Sequence, residues 1–186
     1  DPLGLRGGRN LSSFQAAATD LSDPLGLSCK RSQTTGEPLY ENTMPENLKN
    51  ECDIAESAGA RVMGANDPAL WALASRKGAK SPWAPNADND GVVVKWAVDE
   101  HGRAGFVLPR VGKEEISHAV IHGGRDVVGA GGATLKVVNG QLVATNVNRH
   151  SGHYKPGDGS ARVGANHMRR SGVHVVDSGI SEVYDG

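Results

Sequence analysis

The stretch NRHSGHYKP, Asn148 to Pro156, sets Arg149, His150, Ser151, His153, Tyr154 and Lys155 side by side, with Gly152 free to turn the backbone sharply among them. Upstream, SHAVIH carries Ser117, His118 and His122, and Lys95 stands inside the apolar run VVVKWAV. Histidine's ordinary pKa of about 6.5 lets two imidazoles divide acid and base work at neutral pH. Lysine or arginine supplies positive charge where a phosphorane builds negative charge. Metal-independent RNA cleavage needs these parts: a base for the 2′-hydroxyl proton, an acid for the leaving oxygen and a cation. His118, His153, Tyr154, Lys95 and Arg149 fill them without any carboxylate. On this reading RNA is the substrate, and neither metal nor cofactor is needed.

A second chemistry draws on the same inventory. ADP-ribosyl transfer from NAD in a diphtheria-like arrangement uses a strand histidine on the ribose, a tyrosine stacked on nicotinamide and a late glutamate. His118 and Tyr154 have the right order, and Glu182 is the candidate acid, although little chain remains after Tyr154 to carry it. A metal-dependent nuclease is a third class. HSGH lacks an accompanying HNH or HxxD pattern, and Asp158 is its nearest carboxylate. The fourth class is a binding tail without catalysis, in which Lys95 lies on a solvated strand face, His118 is a satisfied strand histidine and His153-Tyr154 is a packed turn. His101, His167 and His174 read as surface or packing residues.

Strands and turns must position these groups. VVVKWAV predicts a strand with Val92, Val94 and Trp96 on one face and Val93, Lys95 and Ala97 on the other. DEHG then turns the chain into a second strand, RAGFVLPRV, and EEISHAVIH predicts a third, closed by GGRD. ATLKVV and QLVATNV flank Asn139-Gly140, the favoured two-residue hairpin turn. ARVGANHMRRSG predicts a helix ended by Gly172, and VHVV and SEVY two short strands. Before Gly91 the chain is helical where it is regular. In DPALWALASRKG, Asp67 can cap, Pro68 suits the first position and Gly78 ends the helix. PENLKNECDIAESAGARV has helical spacing, and SSFQAAATDLS predicts a short helix. The predicted class is α+β: a helical N-terminal part, a mostly antiparallel sheet, then a C-terminal helix. Residues 1–60 lack a sustained apolar period and read as a junction or linker, with the functional domain at 61–186.

Composition bounds the partners. The 186 residues carry a net charge of -1 and 25 glycines, and aromatics make up only 4%. That charge announces no overall basic field for nucleic acid; mean hydropathy is -0.40, and no apolar run is long enough to predict a membrane span. No basic segment followed by an apolar one marks a signal peptide, and the start at Asp1 suggests a piece of something longer. Cys29 and Cys52 lack metal-site spacing; they are read as two thiols or one disulfide.

DPLGL occurs twice, at Asp1–Leu5 and again at Asp23–Leu27 in DPLGLSCK. It resembles the DPxGL junction of Rhs-type polymorphic toxins, where a repeat-built shell ends and a variable C-terminal toxin begins. The KW strand, the EI-x-H segment and SGHYKP resemble the tail of a bacterial toxin family, over roughly residues 92 to 175. That family often has an acidic residue where GAGGATL places Gly132. The resemblance implies an effector delivered into the cytoplasm of a target bacterium, with the parent shell and a cognate immunity protein as partners. An acidic immunity surface would be expected over Arg149, Lys155, Arg169 and Arg170.

Overall fold

A computed structural model of the chain describes residues 30–77 and 90–183. Both DPLGL copies, Cys29, SSFQAAATDLS, Gly78 and most of the loop SPWAPNADNDG lie outside the described residues. Packing divides the chain into two units, Asp1–Lys30 and Arg31–Gly186, and the second carries every element below.

A 3-10 turn, Pro45–Asn47, leads into helix α1, Leu48–Ser57, and α2 follows at Pro68–Ala74. Asp67 caps α2, its Oδ1 accepting the Ala69 N–H at 2.9 Å, with Pro68 at the first position as expected. The helix ends at Ala74, earlier than the predicted stop at Gly78, where the Ser75 hydroxyl donates back to the Trp71 carbonyl at 2.8 Å. The strands β1 (Val92–Asp99), β2 (Ala104–Val107), β3 (Arg110–Val111), β4 (Glu114–Glu115), β5 (Val127–Val138), β6 (Gln141–Thr145) and β7 (Val147–Asn148) follow. Helix α3 spans Ser160–Arg170, and β8 (His174–Val175) and β9 (Ile180–Ser181) close the described chain.

The main sheet has the order β2-β1-β5-β6-β8, antiparallel except for the parallel β6–β8 pair. The class is therefore α+β, with a helical front, a mostly antiparallel sheet and a helix near the C-terminus. Asn139 and Gly140 turn the β5–β6 hairpin at φ 50° and 75°, as a primed two-residue turn requires. Helix α3 ends as predicted: Gly172 has φ 90° and donates to the Arg169 carbonyl, while the Val173 N–H reaches the Met168 carbonyl at 3.0 Å. Met168 and Val173 are both buried in the same core cluster, which completes this glycine-centred stop.

Two predicted strands break. RAGFVLPRV divides into β2 and β3 around Pro109, which has no N–H for a ladder. In EEISHAVIH only Glu114–Glu115 forms a strand, and His118–His122 is a 3-10 helix. Ser117 caps that turn by accepting the Ala119 N–H at 3.0 Å, and Gly123 ends it in the left-handed region at φ 62°. The strand read in SEVY is β9, one residue earlier and shorter, and Tyr184 lies outside the described residues.

Both faces of the sheet are covered. Val94, Trp96, Val98 and Leu135 pack with Leu70 of α2 and Ala165 and Met168 of α3. Ala97, Val107, Val127 and Ala130 pack with Ala55 of α1, Ile116, Ile121 and Tyr154. Gly164 lets α3 approach closely, since a Cβ there would stand 2.2 Å from the Trp96 ring. The packed unit begins at Arg31 and not near residue 61. Leu39 and Ala55 are buried, and Tyr40 exchanges both backbone hydrogen bonds with Val127 at 2.8 and 3.0 Å. Isolated anchors of this kind leave no period in the sequence.

Candidate functional site

Alternation along β1 puts Lys95 on the face shared with Ala97, and the side chain is 15% exposed. Its Nζ donates to Glu115 Oε1 at 2.8 Å, and this hydrogen bond and the lysine's charge hold the Glu115 carboxyl below the usual range. Lys95 is registered directly opposite Gly132, so the two positions share a face. An acidic side chain at 132 would stand beside Lys95; here the carboxylate comes from Glu115 on the β3–β4 ribbon. Gly132 is engaged through its backbone, its N–H donating to Asn148 Oδ1 at 2.9 Å and its carbonyl accepting from Trp96 Nε1 at 3.0 Å.

His153 sits in the turn after β7. Lys155 N–H donates to the Ser151 carbonyl at 3.0 Å, and Lys155 itself takes a left-handed φ of 42°. The Thr43 N–H and hydroxyl hold the His153 carbonyl at 2.7 and 2.9 Å. The imidazole faces α1, where Nε2 and Glu51 Oε1 are 2.5 Å apart. Both side chains are largely buried yet reach solvent, at 18% and 17% exposure. The second Glu51 oxygen, Oε2, is buried and has no hydrogen-bond partner among the described residues. His153 lies close enough to act electrostatically on both Glu115 and His118, as does Lys95. The Lys95–Glu115 and His153–Glu51 pairs therefore belong to one electrostatic cluster around His118.

The other expected residues are built into the fold. His118 is 4% exposed and lies in the 3-10 helix, not in a strand. Its Nε2 donates to the Gly131 carbonyl at 3.0 Å. Burial first, and then the nearby Lys95 charge, push its pKa down to about 3, so the ring is neutral at physiological pH. Tyr154 is 2% exposed, its hydroxyl donates to the Arg125 carbonyl at 3.1 Å, and burial pushes its pKa upward. Arg149 spends its guanidinium on the Glu182 carbonyl at 2.6 Å, the Pro156 carbonyl at 2.7 Å and the Asp158 carboxylate at 2.6 Å.

Glu182, the acid expected in a transferase, caps α3. Its carboxylate accepts the Gly159, Ala161 and Arg162 N–H groups at 3.1, 3.3 and 2.9 Å, satisfying donors that a helix start leaves open. Among the four basic residues expected to meet a partner, Lys155 and Arg170 are exposed, while Arg169 bonds Asp177 at 2.7 Å. Cys52 is a free thiol. Among the described residues no three of His, Cys, Asp and Glu gather as a metal-holding group, and no helix is long and apolar enough to cross a membrane.

Of the expected site residues, Lys95 and His153 both reach solvent, and both act electrostatically on Glu115 and on the buried His118. The carboxylates beside them, Glu51 and Glu115, were not among the sequence candidates. Glu115 is the first residue of the singled-out EI-x-H segment, which was a usable signal. Glu51 lies 102 residues from its imidazole and left none. Comparison with family models, curated proteins and solved structures returned no match.

Proposed function

We propose that this chain is the C-terminal toxin domain of an Rhs-type polymorphic toxin and that it cleaves RNA without a metal ion. The observation that carries the chemistry is the solvent-reaching His153–Glu51 pair in one charged cluster with Lys95–Glu115. In this reading His153 takes the proton of a ribose 2′-hydroxyl, and the oxygen attacks the adjacent phosphorus. The 5′-oxygen leaves, and the proton held by His153 returns to it, directly or through water. Lys95 moves from Glu115 toward the phosphorane and offsets its charge. The products are a 2′,3′-cyclic phosphate and a 5′-hydroxyl. The toxin context rests on the DPLGL and SGHYKP resemblance. It carries the delivery into a target cell's cytoplasm, the parent shell and a neutralising immunity protein.

Incubation of the purified chain with total RNA in EDTA, with and without labelled NAD, tests the chemistry. Fragments bearing cyclic phosphate ends without NAD are expected, and Lys95→Ala should abolish them in a folded protein. Intact RNA under these conditions overturns the ribonuclease reading, and label transfer from NAD would put a transferase in its place. Expression in bacteria tests the toxin reading, since an inert binding tail would leave growth unchanged.

A further inference from the structure

We infer that Glu51 is a positioning residue, which binds the Nε2–H of His153 and leaves Nδ1 as the nitrogen that exchanges protons at the site. This inference rests on the ribonuclease reading for its reaction but not for its geometry. A neutral imidazole carries one proton, and the partner of one nitrogen decides which nitrogen is left as acceptor. Here Nε2 is 2.5 Å from Glu51 Oε1, well within hydrogen-bond distance. A carboxylate cannot donate when ionised, so Nε2 must carry the proton and Nδ1 the lone pair. His153's backbone is fixed independently through Thr43, so the ring has little freedom to exchange its nitrogens.

The carboxylate is not a saturated structural clamp. A buried Glu51 oxygen, Oε2, has no hydrogen-bond partner among the described residues. The other charged or titratable groups acting near the ring are Lys95 on β1, Glu115 on β4 and His118 in the 3-10 helix. None of these is hydrogen-bonded to His153: Lys95 is paired with Glu115, and His118 with a backbone carbonyl. Glu51 therefore determines the orientation of the imidazole. It comes from α1, which lies in the segment read from sequence as a linker, so that segment completes the site.

The test is nitrogen NMR of the full chain labelled at histidine, with His153 assigned by its loss in His153→Asn. At about pH 8, above the ordinary histidine range, the expected spectrum has a proton-bearing Nε2 and an unprotonated Nδ1. Glu51→Gln should mix the two tautomers and lower kcat for RNA cleavage at least about tenfold, with KM and the melting temperature unchanged. Glu51→Asp should restore part of that loss. An Nδ1–H tautomer in the wild type overturns the inference. So does a Glu51→Gln protein that keeps both its tautomer and its kcat. If the wild type leaves RNA intact, the ribonuclease reading fails while the tautomer result still decides the role of Glu51. If Glu51→Gln does not fold, the wild-type spectrum decides it alone.

Discussion

His118→Gln should flatten the acid side of the stability curve. In the folded chain His118 titrates at about 3, against 6.5 for a free imidazole. Between those two values the unfolded chain holds a proton there that the folded chain lacks, so stability falls as pH drops. The contribution is fully present above the unfolded value and is lost toward the folded one. A shift from 6.5 to about 3, at about 1.4 kcal/mol per unit, sets a ceiling of roughly 5 kcal/mol. About 2 kcal/mol of that is gone by about pH 5, a large share of the roughly 5–15 kcal/mol that holds a domain together. Burial lowers the pKa of His122 as well, so it steepens the same limb in both proteins and cancels in the comparison. Urea unfolding at about pH 7 and about pH 5 measures the effect. The wild type should lose about 2 kcal/mol more than His118→Gln over that interval. Glutamine can still donate to the Gly131 carbonyl, so the variant should fold at neutral pH. Equal losses in the two proteins would refute the argument, because they would mean that His118 takes up its proton without opening the core.

Two further variants test the packing and the cap. Gly164→Ala places a methyl 2.2 Å from the Trp96 ring and should cost about 1–3 kcal/mol, read from the urea midpoint by tryptophan fluorescence. An unchanged midpoint would mean that α3 does not sit on that ring. Glu182→Ala removes the acceptor for three N–H groups at the start of α3, Gly159 included, and should cost about 0.5–2 kcal/mol in thermal unfolding, with RNA cleavage preserved. Loss of activity at an unchanged melting temperature would show that the carboxylate reacts instead of capping.

The legible parts of the fold were those specified by neighbouring residues. Asn139-Gly140 between two apolar alternations, Asp67-Pro68 before an apolar face, and Gly172 after one each specify a local geometry that the structure keeps. EEISHAVIH misled because its buried apolar residues, Ile116, Ala119 and Ile121, keep to neither a two-residue nor a helical period. Ser117 and Gly123 decided the matter at its ends. Residues 31–60 misled because Leu39, Tyr40 and Ala55 anchor the segment singly, and single anchors show no periodicity.

The candidate site was harder to read than the fold, because residue type does not reveal what each imidazole is bound to. His118, His122 and His150 place a ring nitrogen against the carbonyls of Gly131, Ala97 and Val183, which suits a structural role. His101 is 51% exposed and 3.7 Å from Glu100, too far for a hydrogen bond. Two imidazoles are bound tightly to carboxylates, His167 to Glu37 at 2.6 Å and His153 to Glu51 at 2.5 Å. Proton exchange with a substrate needs the ring held by a partner and also open to the outside. His167 is 2% exposed and meets only the first condition, while His153 at 18% meets both. Lys95, in the same electrostatic cluster, adds a cation paired among the described residues with the exposed Glu115 carboxylate, a bond that an arriving phosphate can replace. The proposed chemistry rests on the combination of a carboxylate, solvent access and a displaceable cation. His153 supplies the first two and Lys95 the third.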